Sequence, residues 1–456
     1  MRWKMVAIFI IKLSLITYTG SALAQIQVHF NNQDHLPEAL ICPGQKPIKT
    51  KVPTPTMEDE LTLPSLDEIS TALLNNQANN SLNSNSKITP LNFLRNSQQP
   101  IKIGIWGDSH LAANFFAEEL IKSIGLSREE VSPSFFAANI GRAGVRLALK
   151  KTCLGGGWKY SYAYNSNPPT EFPIGMLRMQ AKNKDSYLWL DFRANQPVKA
   201  PLQSLEILLA PNATGEPMTL GISVDDLSEE SFIEVGNQER INIEADYPIS
   251  TIKVRLLRGS LNLDGLIPHY TKSPKLIVDN LAIPGATFKS WTNLVQLASF
   301  KPSYDVAILA FGTNEGNNPK FDSANYQLDL QQGLTNFRRM YPSTACVLIG
   351  PTDRGILVAH HKRTKKGGKP QQPADLLKYA KVHAQISAIQ ASEASIAGCS
   401  FWDWQDAMGG IGSAYTWAYE KPPLMSKDLT HLTIPGYQKS ARQFSSHFQL
   451  KSLLNP

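Results

Sequence analysis

Three residue types at telling positions, Ser109, Asp428 and His431, could together carry out acyl transfer. Ser109 stands in Gly107-Asp108-Ser109-His110, directly after the β-branched run Ile101, Ile103, Ile105. Leu111, Phe115, Phe116, Leu120, Ile121 and Ile124 then recur at helical spacing. The serine is therefore expected on a tight strand-to-helix turn, where Gly107 supplies a residue without a Cβ. Backbone N–H groups at a helix start carry partial positive charge, so an oxyanion forming beside Ser109 would be stabilised there. By itself, G-D-S reads equally well as a helix cap. A serine hydroxyl is a weak nucleophile until a base takes its proton. His431 in Asp428-Leu429-Thr430-His431 can be that base, with Asp428 three residues earlier to orient the imidazole and stabilise its protonated form.

An oxyanion also needs donors. Phe311-Gly312-Thr313-Asn314-Glu315 follows the apolar run 306–311, and Asn314 offers a side-chain N–H. A backbone donor is expected from a glycine in one of two N-x-x-x-x-G stretches, 139–144 (NIGRAG) and 280–285 (NLAIPG). Gly285 has the better context: it follows the apolar run 276–278, and one helix then leads to the strand before Asn314, a compact β-α-β unit. Gly144 is the alternative.

The blocks GDSH at 107–110, NLAIPGAT at 280–287, FGTNE at 311–315, FWDWQDAMGG at 401–410 and DLTHLTIPGY at 428–437 make residues 95–450 resemble the SGNH (GDSL-type) hydrolases. The resemblance is closest to their secreted bacterial branch acting on O-acetylated peptidoglycan. It implies a serine esterase that removes O-acetyl groups from a cell-wall polysaccharide through an acyl-enzyme, with no cofactor. The same acyl-enzyme would serve an O-acetyltransferase that passes the acetyl group to a glycan hydroxyl. A third reading, an inactive hydrolase fold that only binds glycan, is weakened by the intact Ser, Asn, Asp and His. The family also places its second block just after an inserted jelly-roll domain like carbohydrate-binding modules, which again favours Gly285.

Alternating strand and helix patterns in 95–139 and 276–456 predict an α/β fold, a doubly wound and mostly parallel sheet of SGNH/flavodoxin-like type, with the site at the C-terminal strand ends. Helices are expected from 287 to about 299, from about 374 to 392 and after Pro435. Residues 140–275 instead show short alternating runs at 187–192, 204–209, 219–224, 240–244 and 251–257, the pattern of an inserted β-sandwich. There Trp158, Tyr160, Tyr162 and Tyr164 either stack on sugar rings or form one face of an ordinary core. Residues 25–94 form an N-terminal extension, of which 25–73 are expected to wrap the main domain and 74–86 to be an Asn-rich linker.

The chain of 456 residues is 42% hydrophobic and 18% charged, a globular composition. Residues 1–24 carry Arg2 and Lys4, an apolar stretch and Ala22-Leu23-Ala24, the signature of a cleaved secretory signal and hence of a periplasmic or secreted protein. Lys12 interrupts the apolar stretch, and only an uncleaved segment would place the protein at a membrane. Cleavage removes three positive charges and takes the formal charge from +7 to +4, weak evidence for an anionic partner. Four cysteines in an exported chain allow three pairings. If the runs at 346 and 399 are neighbouring strands, Cys346 pairs with Cys399 and Cys42 with Cys153. No cysteine stands at metal-ligand spacing, so no metal is expected. The basic loop 354–372 lacks interleaved aromatics, which argues against nucleic acid. His383 reads as a core histidine, His110 as structural, and Trp402 and Trp404 as walls of the pocket or as core.

Overall fold

The computed structural model describes residues 25–31, 40–43, 61–77, 99–166, 170–194, 202–210, 215–225, 230–318, 320–359 and 374–453. The expected signal segment, most of the Asn-rich stretch and most of the basic loop lie outside the described residues.

The fold is α/β. Six parallel strands form one sheet in the order Ser400–Trp402, Ala345–Ile349, Val306–Ala310, Ile101–Gly107, Leu276–Asn280 and Val131–Ser132. Leaving aside the two-residue edge strand, chain order across the sheet is 2-1-3-4-5, the order in which the switch point falls between the first and third strands. Those strands are Ile101–Gly107 and Val306–Ala310, so the crevice opens where Ser109 and Asn314 leave the sheet. Both faces are covered, which is why the strands read as apolar runs. Ile103 and Ile105 point into a core with Phe116, Trp402, Trp404 and Phe444. Trp106 and Leu309 point into a second core with Phe288, Trp291, Leu330 and Phe337. Trp402 and Trp404 are thus both core residues and neither walls the pocket; the Trp404 indole N–H donates to Ser440 Oγ at 2.9 Å.

Two further sheets are predominantly antiparallel and share a third core. One runs Gln25–Phe30, Arg240–Ile249, Leu202–Leu209, Leu261–Tyr270, Leu177–Ala181 and Lys159–Tyr162, with Phe136–Ala137 beside Leu261–Tyr270. The other runs Ser231–Val235, Met218–Val224, Thr251–Arg258, Tyr187–Asp191 and Lys151–Gly155. Two strands of the first sheet come from outside 140–275. Gln25–Phe30 pairs in parallel with Arg240–Ala245, burying Val28 and Phe30, so this part of the N-terminal extension completes a sheet.

Several local expectations need correction. The helix after Ser109 is two helices, Ser109–Ala112 and Phe115–Ser123, because Asn114 takes a left-handed conformation (φ 67°) and its side chain accepts from Asn280. The expected helix from 287 is a short 3-10 turn, Phe288–Asn293. The helix Leu66–Gln77 extends into the stretch read as a linker from 74; Ser65 caps it reciprocally with Glu68, and Ile69 is buried. Helices at Lys378–Ile396 and Ile434–His447 lie near their expected places. Disulfides join Cys42 to Cys153 and Cys346 to Cys399, the latter pair bridging neighbouring strand regions. Among the described residues, no helix is long and apolar enough to cross a membrane.

The chain passes from the parallel sheet to the antiparallel ones between Val131–Ser132 and Phe136–Ala137, and the buried Asp279 holds that crossing. Its carboxyl accepts from Ser134 N (2.6 Å), Ser134 Oγ (2.8 Å), Phe135 N (3.0 Å) and Tyr304 Oη (2.8 Å). Asp279→Ala removes the acceptor of four donors, two of them fully buried, and is expected to cost about 3 kcal/mol of folding stability, with Asp279→Asn costing less. Urea unfolding of the two variants checks this.

Candidate active site

The chain leaves the serine strand through a constrained turn. Asp108 N–H donates to Ala310 O at 3.1 Å, and Asp108 Oδ1 caps the short helix by accepting from His110 N at 2.9 Å. A Cβ on Gly107 would stand 2.7 Å from Ala310 O, so only glycine lets the two strands approach here. Ser109 is left partly exposed at the helix start.

The second arm is the turn 428–431. Leu429 is fully buried with a positive φ of 52°, and its backbone turns the flanking residues outward. Asp428 Oδ1 accepts from Thr430 N and His431 N, each at 3.0 Å. Asp428 Oδ2 stands 2.7 Å from His431 Nδ1, and His431 Nε2 stands 2.9 Å from Ser109 Oγ. Ser109, His431 and Asp428 therefore form one continuous hydrogen-bonded chain. Burial raises the Asp428 carboxyl, but its bonds from the His431 side chain and from two backbone N–H groups outweigh that and hold it well below the usual carboxylate range. The same side-chain bond from Asp428 raises His431 above the ordinary imidazole value, against the opposing effect of burial.

The oxyanion candidates lie on adjoining loops. Beyond Asn280 the chain follows the serine strand: Leu281 N donates to Ile105 O (2.7 Å) and Ile283 N to Gly107 O (2.9 Å). Gly285, with φ 87°, then occupies the turn closed by Ala286 N to Ile283 O at 3.1 Å. Asn314 Nδ2 donates one proton to Ala286 O at 2.8 Å, which fixes the amide and leaves its second proton free to point elsewhere. Gly144 packs on the same turn, since a Cβ there would meet Pro284 Cγ at 3.2 Å. Both N-x-x-x-x-G stretches thus converge on one place, with the 280–285 stretch bonded directly to the serine strand.

Sequence reasoning did not assign the carboxylates beneath these loops. Glu315 accepts from Phe288 N (2.7 Å) and Gly312 N (3.1 Å), tying the asparagine loop to the segment after Gly285. Asp353 accepts from Gln405 Nε2 (2.7 Å) and Ala414 N (2.8 Å). Burial pushes Asp108 up to about 6, Glu315 to about 7 and Asp353 to about 6. The only advance signal was an acid within five residues of the end of a buried strand.

His110 is buried between Thr352 Oγ1 (3.4 Å) and Tyr437 Oη (3.3 Å), with its ring 5.3 Å from that of His431. Burial holds it well below the ordinary imidazole value. His383 is likewise buried, its Nδ1 2.7 Å from Thr352 O, and burial lowers it to about 4. Among the described residues, no cluster of His, Cys, Asp or Glu could hold a metal ion.

No protein-family model and no curated protein matches this chain. Among solved structures, a peptidoglycan O-acetylesterase aligns with a TM-score of 0.56 at 19% identity, over 78% of this chain and 92% of that one. At this identity the likeness is one of fold. An active-site mutant of a family two carbohydrate esterase from Clostridium thermocellum has a TM-score of 0.25 at 9% identity, over 65% of this chain and 98% of that one. A catalytic mutant of the acetylxylan esterase Axe2 from Geobacillus stearothermophilus has a TM-score of 0.27 at 15% identity, over 38% and 73%. Both align too loosely to add to that likeness.

The electrostatics predict three distinct histidines. In an NMR titration from roughly pH 5 to 8, His431 is expected to titrate above about 6.5, while His110 and His383 stay neutral. Asp428→Asn is expected to lower the His431 midpoint.

Proposed function

We propose that this protein is a serine esterase that removes O-acetyl groups from a cell-wall polysaccharide, with peptidoglycan as the polymer. The observation that carries the reading is the continuous chain from the partly exposed Ser109 hydroxyl through His431 to Asp428. The resemblance supplies the acetyl ester and the polymer.

In this reading, Ser109 Oγ attacks the acetyl carbonyl carbon as His431 Nε2 takes its proton, and Asp428 stabilises the imidazolium. The oxyanion accepts from the Ser109 N–H, the Gly285 N–H and the second proton of Asn314 Nδ2. Collapse of the tetrahedral intermediate breaks the ester bond, and His431 returns the proton to the departing sugar oxygen. Water, activated by the same imidazole, then attacks the acetyl-serine and releases acetate. Gly285 is preferred to Gly144 because Ile283 N–H bonds Gly107 O, seating its turn beside the serine strand.

We assign the antiparallel sheets to an inserted β-sandwich that holds the polymer. Tyr160, Tyr162 and Tyr164 are half-buried and stack in sequence, with centroids 6.3 and 5.2 Å apart. Tyr164 Oη lies 3.4 Å from Pro284 O, so this aromatic run ends beside Gly285. A glycan laid along it would lead to the serine. Export to the periplasm or beyond is supported by the N-terminal segment and by the two disulfides.

Acetate release from O-acetylated peptidoglycan, with and without a sugar acceptor, tests the reaction. Ser109→Ala should abolish release while leaving thermal stability nearly unchanged; near-normal turnover would remove the esterase. Activity should rise with pH through a limb above about 6.5, because His431 must be neutral to act as base, and Asp428→Asn should shift that limb downward. Asn314→Ala should lower kcat about 10²–10³-fold. Tyr162→Ala should weaken action on the polymer more than on a small acetyl ester.

A further inference from the structure

Arg354 stands at the rim of the site and has no catalytic task in the scheme above. The residues around it are all pinned. Thr352 O lies 2.7 Å from His383 Nδ1, Asp353 is held by Gln405 and Ala414, and Gly355 N donates to Leu429 O at 3.0 Å. The last bond attaches the loop to the turn that carries Asp428 and His431. On its other side, Arg354 Nη1 donates to Asn317 Oδ1, three residues beyond Asn314. The guanidinium carbon sits 4.2 Å over the Tyr379 ring. A rigid cation therefore bridges the oxyanion-side loop and the triad turn.

Its hydrogen bonding is incomplete. Several partly or fully buried arginines are neutralised: Arg178 grips Asp264 with two bonds, and Arg193 grips Asp191, whereas Arg142 lies over the Tyr162 ring with its Nε also without a partner. Arg338 lacks a carboxylate but donates to the carbonyls of Ala397, Thr344 and Gly398. Arg354 pairs with no carboxylate among the described residues, and its buried Nε has no partner. Taking a guanidinium partly out of water without a counter-charge is costly, and such a cost is met when an anion arrives. A guanidinium fork matches a carboxylate in shape and charge.

We propose that Arg354 is a specificity residue that binds a carboxylate carried by the same sugar repeat as the acetyl ester. This rests on the esterase reading and narrows it to acidic acetylated glycans. On peptidoglycan the carboxylate could be the lactyl group of a muramic acid freed of peptide, or a carboxylate of the attached peptide. Neutral acetylated polysaccharides would lack the contact.

The test uses 6-O-acetyl-N-acetylmuramic acid glycosides with the lactyl carboxyl free, blocked as its methylamide, or linked to a stem peptide. Binding to Ser109→Ala, measured by calorimetry, reads the carboxylate contact without turnover. Acetate release from p-nitrophenyl acetate by the unaltered protein reads the esterase separately. The free acid or the peptide form should bind about tenfold or more tighter than the methylamide, and whichever does identifies the source. Adding Arg354→Gln should erase that preference, and Arg354→Lys should restore part of it. In turnover the loss should fall on KM for the carboxylated substrate and exceed any loss on p-nitrophenyl acetate. Equal binding of acid, peptide and methylamide forms overturns the proposal, even if p-nitrophenyl acetate is hydrolysed. So does an Arg354→Gln loss that is the same for every substrate, which would mark a structural clamp. Carboxylate-selective binding without acetate release would keep the contact and remove the esterase.

Discussion

A hydroxyl and an imidazole 322 residues apart in sequence must sit 2.9 Å from each other, and the α/β part of the molecule is arranged to hold them there. One end is fixed by a strand in the middle of a parallel sheet, whose exit turn is locked by Asp108 N–H on Ala310 O. The other end is fixed by the closing helix Ile434–His447, which packs against the helix Phe115–Ser123. Phe116 meets Phe444 edge-on at 5.6 Å and Trp404 at 5.3 Å, and Arg442 pairs with Glu119 on the surface above. The aromatic packing carries this positioning; an exposed ion pair contributes at most about 1 kcal/mol. A shift of an ångström between these helices would lengthen the Ser109–His431 bond and cost catalysis far more than stability.

Carboxyl groups of one chemical type are used in two opposite ways. Asp428 lies at the surface and accepts three hydrogen bonds, so it stays ionised beside His431. Asp108, Glu315 and Asp353 are placed under the loops, where burial raises them and backbone N–H groups are their main partners. They fix loop shape. The buried groups take up protons more readily folded than unfolded, so they favour the fold as pH falls through about 6 to 7, whereas Asp428 loses its contribution only at more acid pH.

Much of this was legible from the chain. Strand-like, mostly apolar runs marked all five main strands of the parallel sheet because both its faces are covered, and the G-D-S-H and D-L-T-H blocks named the residues that meet. The Cys346–Cys399 pair followed from treating their segments as neighbouring strands. Features set by tertiary contact were not legible. Asn114 breaks the expected helix because Asn280, 166 residues away, engages its side chain. Gln25–Phe30 becomes a strand only because Arg240–Ala245 offers a free edge. Leu261–Tyr270 escaped notice because Gly265 and Pro268 interrupt its pattern, though it lies at the centre of its sheet. The tryptophans at 402 and 404 read as pocket walls or as core and are core: Trp402 ends its strand and Trp404 opens the next helix, and both rings pack on Phe116 between the sheet and the helices that cover it.

The central claim is that Ser109 is a nucleophile activated by His431. Incubation with phenylmethylsulfonyl fluoride followed by peptide mass mapping tests it without any assumption about the natural substrate. The account predicts a single sulfonyl adduct on Ser109 that forms readily in the unaltered protein and slows by orders of magnitude in His431→Ala, with folding intact. No adduct on Ser109, or one that forms equally fast without His431, would contradict it.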